Sequence, residues 1–173
     1  MKIKIILVIG MLLLFLNVRS QIHTPITYVD MYDNTSIELM KEYGIPASII
    51  LGISMLESGY GTSKLSTKKN NYFGVKKGNI YRGYENDFAS FKDFCTIISR
   101  KKFYESLKYN LDYKIWLDKI RLSGYSASSD WAKKVLYYIK KYKLDDFDKK
   151  KEDNKQSKSE NYLPIEMIYY KKL

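Results

Sequence analysis

A run over residues 45–58, uncharged until Glu57, constrains this chain most. Pro46 stands at a position that favours the first turn of a helix, and ten apolar or small residues separate it from Glu57. A helix that is apolar on every side is buried, whereas a surface helix is apolar along one stripe. Gly59 and Gly61 follow and let the backbone turn away. The pattern therefore predicts a buried core helix that ends in one carboxylic acid.

Glu57 is the residue of this run that can carry chemistry. A carboxyl group at the rim of an apolar core loses hydration, which raises its pKa. A raised carboxyl pKa is what a general acid needs near neutral pH. The residue pattern alone leaves an alternative open, in which Glu57 ends a helix and points into water.

The single cysteine and the single histidine exclude several classes of chemistry. Cys95 is the one cysteine, so the chain has no internal disulfide, and its apolar helical setting predicts a core thiol. His23 is the one histidine and lies beside a predicted cleavage site. A zinc site or a Cys-His pair would lack ligands, and we expect no metal and no cofactor. Carboxylates, tyrosines, serines and lysines remain as candidates.

The first twenty residues have the organisation of a secretory signal. Lys2 and Lys4 precede a nearly unbroken apolar stretch at 5–18, and Gln21 is the predicted first mature residue. The stretch is shorter than the roughly 20 residues of a membrane span, and an uncleaved N-terminal anchor is the alternative. We expect a secreted or periplasmic protein, with no stable membrane insertion once residues 1–20 are removed.

Helical periodicity dominates the rest of the chain. Helices are predicted over 28–43, 46–58, 63–69, 90–98, 103–107, 113–122 and 128–142. Residues 34–36 could cap or interrupt the first of these, and Ser128 or Ser129 is the expected cap of the last. Aromatic and β-branched residues flank the turn signal at 77–79, which predicts one small hairpin. The predicted fold is mainly α (α+β), with a minor β-lobe, over a domain at 21–144.

The composition changes after Leu144. Residues 145–160 are almost all charged or polar, which predicts a solvated, flexible tail, and 161–173 are apolar and Tyr-rich again. We therefore treat 145–173 as a charged tail with a Tyr-rich end. Its acids and bases balance, so the formal net charge of +11 lies on the rest of the chain and suits an anionic partner.

Several motifs appear in one consistent order between about residues 28 and 144. They are Gly44–Ser48, Leu56–Leu65 with its Glu-Ser-Gly, Asn70–Lys76 with its Asn-x-Phe-Gly, Asp112–Lys114 with Trp116-Leu117, and Gly124–Ala127 followed by Trp131–Val135. Together they resemble the bacterial peptidoglycan endo-β-N-acetylglucosaminidases of glycoside hydrolase family 73, which include autolysin-like and flagellar-hydrolase-like enzymes. One Glu-Ser-Gly alone would be weak evidence for this resemblance, whereas the whole set of motifs in one order is strong evidence.

The resemblance implies a lysozyme-like fold with a substrate groove between a helical lobe and a small β-lobe. It implies cleavage of the β-1,4 bond between N-acetylglucosamine and N-acetylmuramic acid in peptidoglycan. It assigns the general acid to Glu57, places Tyr125 in the same cleft, and makes Phe73 a support of the cleft floor. The expected partner is a peptidoglycan glycan strand, and the protein is expected to be a monomer that binds no nucleic acid.

The remaining site candidates come from the chemistry of glycoside cleavage. Aromatic faces suit sugar rings, and Tyr60, Tyr72, Tyr81, Tyr84 and Tyr125 are candidates, although with 17 tyrosines in the chain most are expected to serve packing. We single out Tyr125 and Phe73.

The second catalytic group is not assigned by the sequence. Family members often carry a second acid in a longer hairpin, and the nearest acids here are Glu85 and Asp87. Glu85 is either a base that activates water or a solvated loop residue. If no acid faces Glu57, participation of the substrate's acetamido group is the preferred hypothesis.

Two other functions stay open on the same fold. A single catalytic glutamate would also suit a lytic transglycosylase or a muramidase. A non-catalytic module that binds cell walls is the alternative from a different class.

Overall fold

The computed structural model describes residues 24–126 and 128–149, so the predicted signal at 1–20 and most of the predicted tail lie outside the described residues. Its helices are α1 Pro25–Tyr43, α2 Ala47–Ser58, α3 Lys64–Lys69, α4 Asp87–Ser99, α5 Tyr104–Leu107, α6 Tyr113–Leu122 and α7 Trp131–Lys141, followed by a 3-10 helix at Leu144–Lys149. The strands are β1 Lys76–Lys77 and β2 Ile80–Tyr81. No helix in the described part of the chain is both long and apolar enough to cross a membrane.

Helix α2 lies at the centre of the molecule, as its uncharged sequence predicts. Its first nine residues, from Ala47 to Met55, are all buried. It packs against α1, α7 and the 3-10 helix. Gly52 allows α7 to approach closely, since a Cβ there would lie 3.0 Å from Cγ1 of Ile139. The predicted buried core helix is therefore confirmed.

Helix α1 is one uninterrupted helix. Thr24 caps its start through a reciprocal pair of bonds with Thr27, and Gly44 ends it in the left-handed conformation. The polar residues 34–36, which could have interrupted it, lie within the helix, and Ser36 is buried. The apolar face of α1 against α2 outweighs the weak helix propensity of this segment.

Helix α7 starts later than the sequence predicts. Its N-cap residue is Asp130, whose side chain makes no cap bond, so the prediction of a Ser128 or Ser129 cap is wrong. The burial of Trp131, which is 3% exposed, fixes the first turn instead. Burial of a large aromatic ring is worth more than one cap hydrogen bond.

An aromatic cluster joins α1, α4 and the loop before β1. Phe73 stacks on Phe94 of α4 with ring centroids 4.2 Å apart, and Tyr32 of α1 stacks on Phe91 at 4.9 Å. Cys95 lies fully buried beside them, as predicted, and burial raises the pKa of its thiol. The β-lobe is thus anchored to the helical core through Phe73.

The two strands form one antiparallel hairpin, which confirms the predicted small β-lobe. Lys76 pairs with Tyr81 and Lys77 pairs with Ile80. Both strands are exposed, so the hairpin projects from the helical domain.

The 3-10 helix differs from the solvated tail expected from residue 145. Asp148 is 6% exposed and accepts hydrogen bonds from the backbone N–H of Ser48 at 2.8 Å and from the Ser48 hydroxyl at 2.6 Å. These groups lie in the first turn of α2, whose own N-cap residue, Pro46, supplies no side-chain bond. A charged residue from outside the helix therefore caps it, and local charge density at 145–149 gave no sign of this. Burial is the main cause that raises the pKa of Asp148 to about 6.

We expect Asp148→Ala to lower the free energy of unfolding by about 1–3 kcal/mol, because buried donors of α2 lose their acceptor. Since the folded pKa of Asp148 is raised, the stability it contributes is greatest at acidic pH and falls as the pH rises through about 6. Denaturant unfolding should therefore show a larger difference from wild type at pH 4 than at pH 7.

Asp146→Ala is the matched control, because Asp146 is on the same 3-10 helix but pairs with Lys149 at the surface. Its effect should stay within about 0.5 kcal/mol. Equal effects of the two substitutions would contradict the capping role of Asp148.

Candidate active site

Glu57 lies in the last turn of α2, where the buried helix reaches the surface. Gly59 adopts the left-handed conformation that ends the helix, with φ of 56°. The Ser58 hydroxyl donates to the carbonyl of Ser54 and accepts from the backbone N–H of Gly61, which fixes the turn. Glu57 is therefore held on a rigid helix end, half-buried at the rim of the core.

The carboxyl group of Glu57 is enclosed by α7 and by the loop before β1. The indole N–H of Trp131 donates to Oε1 of Glu57 at 2.7 Å. On the other side, a Cβ built on Gly74 would lie 4.0 Å from Oε2. Desolvation raises the pKa of Glu57, and the hydrogen bond from Trp131, which favours the ionised form, partly opposes this. The predicted raised pKa thus has a structural cause.

Tyr125 lies beside Glu57. Its hydroxyl donates to the backbone carbonyl of Phe73 at 3.3 Å, and its ring packs against Trp131 with centroids 5.3 Å apart. Burial and then the charge of Glu57 raise the pKa of Tyr125 well above its ordinary value. Tyr125 therefore stays a neutral phenol, and it links the loop before α7 to the β-lobe.

These residues open onto a groove of about 480 Å³ between the helical domain and the hairpin. Its lining includes Glu57, Phe73, Gly74, Lys76, Tyr81 and Tyr125. Within the described part of the chain, Glu57 is the one carboxylic acid in this lining. The groove thus combines a desolvated acid, a neutral phenol, a tyrosine ring and an ammonium group.

Two tyrosines among the candidates for sugar binding pack against other aromatic residues. Tyr60 takes a left-handed backbone conformation and packs edge-on against Tyr138 of α7, with centroids 5.6 Å apart. Tyr72 accepts a hydrogen bond from the hydroxyl of Tyr32 at 2.8 Å, within the aromatic cluster. Neither ring is in the groove lining. Phe73 lies in the lining and is 3% exposed, so little of its ring is open to the groove.

Tyr84 and Glu85 also lie outside the groove lining. The Tyr84 hydroxyl donates to Asp93 at 2.7 Å, and Arg82 forms an ion pair with the same carboxylate oxygen at 2.7 Å. Glu85 is exposed, and its backbone carbonyl accepts from the side chain of Asn70. The structure brings Glu57 and Tyr125 together and leaves Glu85 in the loop before α4, which begins at Asp87.

Sequence reasoning gave no role to Asn71, which holds the β-lobe in place. Its side chain is 1% exposed. The amide NH₂ donates to the carbonyls of Val75 and Arg82, both at 2.9 Å, and its oxygen accepts from the N–H of Val75 at 3.0 Å. Its place in the Asn-x-Phe-Gly motif was the available signal. The role of Trp131 as a partner of Glu57 had no local signal.

A sequence model of the Glucosaminidase family, described as mannosyl-glycoprotein endo-beta-N-acetylglucosaminidase, matches residues 33–144, which is more than half of the chain. The chain belongs to this glucosaminidase family. A curated relative is the exo-glucosaminidase LytG of Bacillus subtilis (strain 168), 28% identical over 148 residues. That match covers 70% of this chain and 52% of the relative, so the chain spans about half the length of the relative.

Solved structures support the fold of this glucosaminidase-family domain. The catalytic domain of the autolysin Auto from Listeria monocytogenes superposes with a TM-score of 0.63 at 17% identity, covering 78% of this chain and 93% of that one. The glycoside hydrolase domain of FlgJ from Salmonella typhimurium superposes with a TM-score of 0.59 at 19% identity, and the match covers 69% of this chain and 89% of that one. The predicted lysozyme-like fold is confirmed.

We expect Asn71→Asp to loosen the hairpin while the helical core stays folded. An aspartate cannot donate to the carbonyls of Val75 and Arg82, and its charge would face them inside the protein. Hydrogen exchange of the Arg82 amide, which bonds to the Val75 carbonyl at 2.9 Å, should accelerate at least about tenfold. Asn79→Asp makes the same chemical change at the exposed hairpin tip and should leave this rate unchanged. Unchanged exchange in Asn71→Asp would contradict the role of Asn71.

Proposed function

We propose that this protein is a secreted peptidoglycan hydrolase that cleaves the β-1,4 bond after N-acetylglucosamine, with Glu57 as the general acid. The observation that carries the proposal is the Glu57 carboxyl group, desolvated and held by Trp131 at a groove of a glucosaminidase-family domain. The proposed organisation is a signal at 1–20, a catalytic domain that starts at 21 and extends past the sequence-predicted boundary at 144 to include the 3-10 helix Leu144–Lys149, and a tail over the remaining residues.

In the proposed reaction, protonated Glu57 donates its proton to the glycosidic oxygen as the bond to the anomeric carbon breaks. Departure of the leaving sugar as a neutral alcohol avoids the formation of an alkoxide. The raised pKa keeps Glu57 protonated to a higher pH than an exposed glutamate, and Trp131 fixes the orientation of the carboxyl group.

The substrate's own acetamido group is the proposed second participant. The described groove lining offers no carboxylate opposite Glu57, which favours attack on the anomeric carbon by the acetamido oxygen. The resulting oxazolinium ion would then be opened by water, which loses a proton to the Glu57 carboxylate. Glu57 thus ends the cycle protonated.

A lytic transglycosylase is the second candidate, because a lone acid in the groove suits it equally well. In that reaction a hydroxyl of N-acetylmuramic acid replaces water and leaves a 1,6-anhydro product. The matched family is named for an endo-acting enzyme and the curated relative for an exo-acting one. Product analysis separates all of these alternatives.

The test is mass spectrometry of muropeptides released from purified peptidoglycan by the wild type and by Glu57→Gln. We expect new reducing ends on N-acetylglucosamine for the wild type. Glu57→Gln should lose at least about a hundredfold in rate, because glutamine keeps the shape but has no acid proton. Its binding to insoluble peptidoglycan should persist.

Two further glutamate variants sharpen this result. Glu105→Gln, on the exposed side of α5, is the control for loss of one surface carboxylate and should retain full activity. Glu85→Gln tests the assignment of the second group, and a large loss there would replace the acetamido hypothesis with a protein base. Products ending in 1,6-anhydro-muramic acid, or full activity of Glu57→Gln, would overturn the proposed function.

A further inference from the structure

The β-hairpin has two chemically different faces. Residues that pair directly across two strands point to the same side of the sheet, and neighbours along a strand point to opposite sides. Lys76 pairs with Tyr81, and both line the groove, whereas Lys77 and Ile80 form the other pair and are not in its lining. The hairpin therefore presents a lysine and a tyrosine to the groove and a lysine and an isoleucine away from it.

Tyr81 holds the ammonium group of Lys76 at the groove. The Nζ atom of Lys76 lies 4.6 Å from the centroid of the Tyr81 ring, which is a cation–π distance. The ammonium group of Lys69 donates a long hydrogen bond of 3.5 Å to the backbone carbonyl of Tyr81. The cation–π contact with Tyr81 restricts the Lys76 side chain, which would otherwise sample many rotamers.

The charge of Lys76 is not neutralised by the described residues. Arg82, the next cation along the hairpin, is paired with Asp93 at 2.7 Å. No acid of the described residues lies within ion-pair distance of Lys76. Lys76 is also the one cation in the described lining of the groove, so it faces the ligand with an unpaired positive charge.

We propose that Lys76, positioned by Tyr81, binds a carboxylate of the substrate and thereby selects glycan strands that carry acidic peptides over neutral glycans. This inference rests on the proposed function, because it places a peptidoglycan strand in the groove. N-acetylmuramic acid carries its peptide through a lactyl group, and that peptide ends in carboxylates. A neutral N-acetylglucosamine polymer has no group to pair with Lys76.

Carboxylates are favoured over the phosphates of wall polymers as the ligand. A carboxylate that is covalently attached to the sugar in the groove reaches Lys76 with the same strand that meets Glu57. A phosphate polymer would have to enter the groove beside that strand. The test separates the two sources.

The experiment measures hydrolysis of three substrates by the wild type, Lys76→Met and Lys76→Arg. The substrates are peptidoglycan with its phosphate polymers, the same material freed of phosphate by acid, and phosphate-free material whose carboxylates have been converted to methylamides. On phosphate-free peptidoglycan, Lys76→Met should raise KM about tenfold with little change in kcat. Lys76→Arg keeps the positive charge and should have a KM close to that of the wild type. On the methylamide substrate, the wild type and Lys76→Met should have the same KM, because no carboxylate is left to pair with Lys76.

Lys77→Met is the matched control, because it removes the same charge from the opposite face of the hairpin. It should behave like the wild type on all three substrates at equal ionic strength. An equal rise in KM for Lys76→Met and Lys77→Met would overturn the proposal. A rise in KM for Lys76→Met that persists on the methylamide substrate would also overturn it. If the rise in KM of Lys76→Met disappears once phosphate is removed, the ligand of Lys76 is phosphate and the proposal is overturned.

A parallel binding assay keeps this inference separable from the proposed function. Sedimentation with insoluble phosphate-free peptidoglycan is measured for Glu57→Gln alone and combined with Lys76→Met or Lys77→Met. Weaker binding for the Lys76 combination alone supports the carboxylate contact even if the wild type releases no sugar. Equal binding by all three proteins overturns the contact even if hydrolysis is observed.

Discussion

The desolvation of Glu57 by the core around α2 is the constraint on which the site depends. Residues 47–55 are buried without a charge, and the carboxyl group appears only where the helix reaches the groove. Since an ionised carboxylate is costly next to an apolar core, the protonated form is favoured. The same burial stabilises the fold and prepares the acid, so core substitutions in α2 are expected to affect both.

Both ends of α2 are fixed by residues that are distant in the chain. Asp148 binds Ser48 at its start, and Trp131 binds Glu57 at its end. Across the groove, Asn71 and the stacked Phe73 hold the β-lobe against α4. The groove width is thus set by rigid contacts, which suits chemistry that requires an acid within hydrogen-bond reach of the glycosidic oxygen.

The sequence predicted what depends on local pattern. The buried helix with its terminal acid, the hairpin and the burial of Cys95 follow from hydrophobic spacing and turn residues, and the ordered motifs predicted the family. Pairings between distant residues could not be derived in this way. Asp148 lies in a charged stretch that resembles a solvated tail, and its partner Ser48 is a hundred positions away. Tyr60 and Tyr72 suit sugar binding by residue type, and only the packing against Tyr138 and Tyr32 reveals their other role.

The most direct test of this account is the titration of the Glu57 carboxyl group by isotope-edited NMR, in the wild type and in Trp131→Phe. The account predicts a pKa above the ordinary 4.5 in the wild type. It predicts a still higher pKa in the variant, because the hydrogen bond that favours the ionised form is gone. A wild-type pKa at or below 4.5 would contradict the claim that burial prepares Glu57 as an acid, and a lower value in Trp131→Phe would contradict the claim that the Trp131 hydrogen bond opposes that effect.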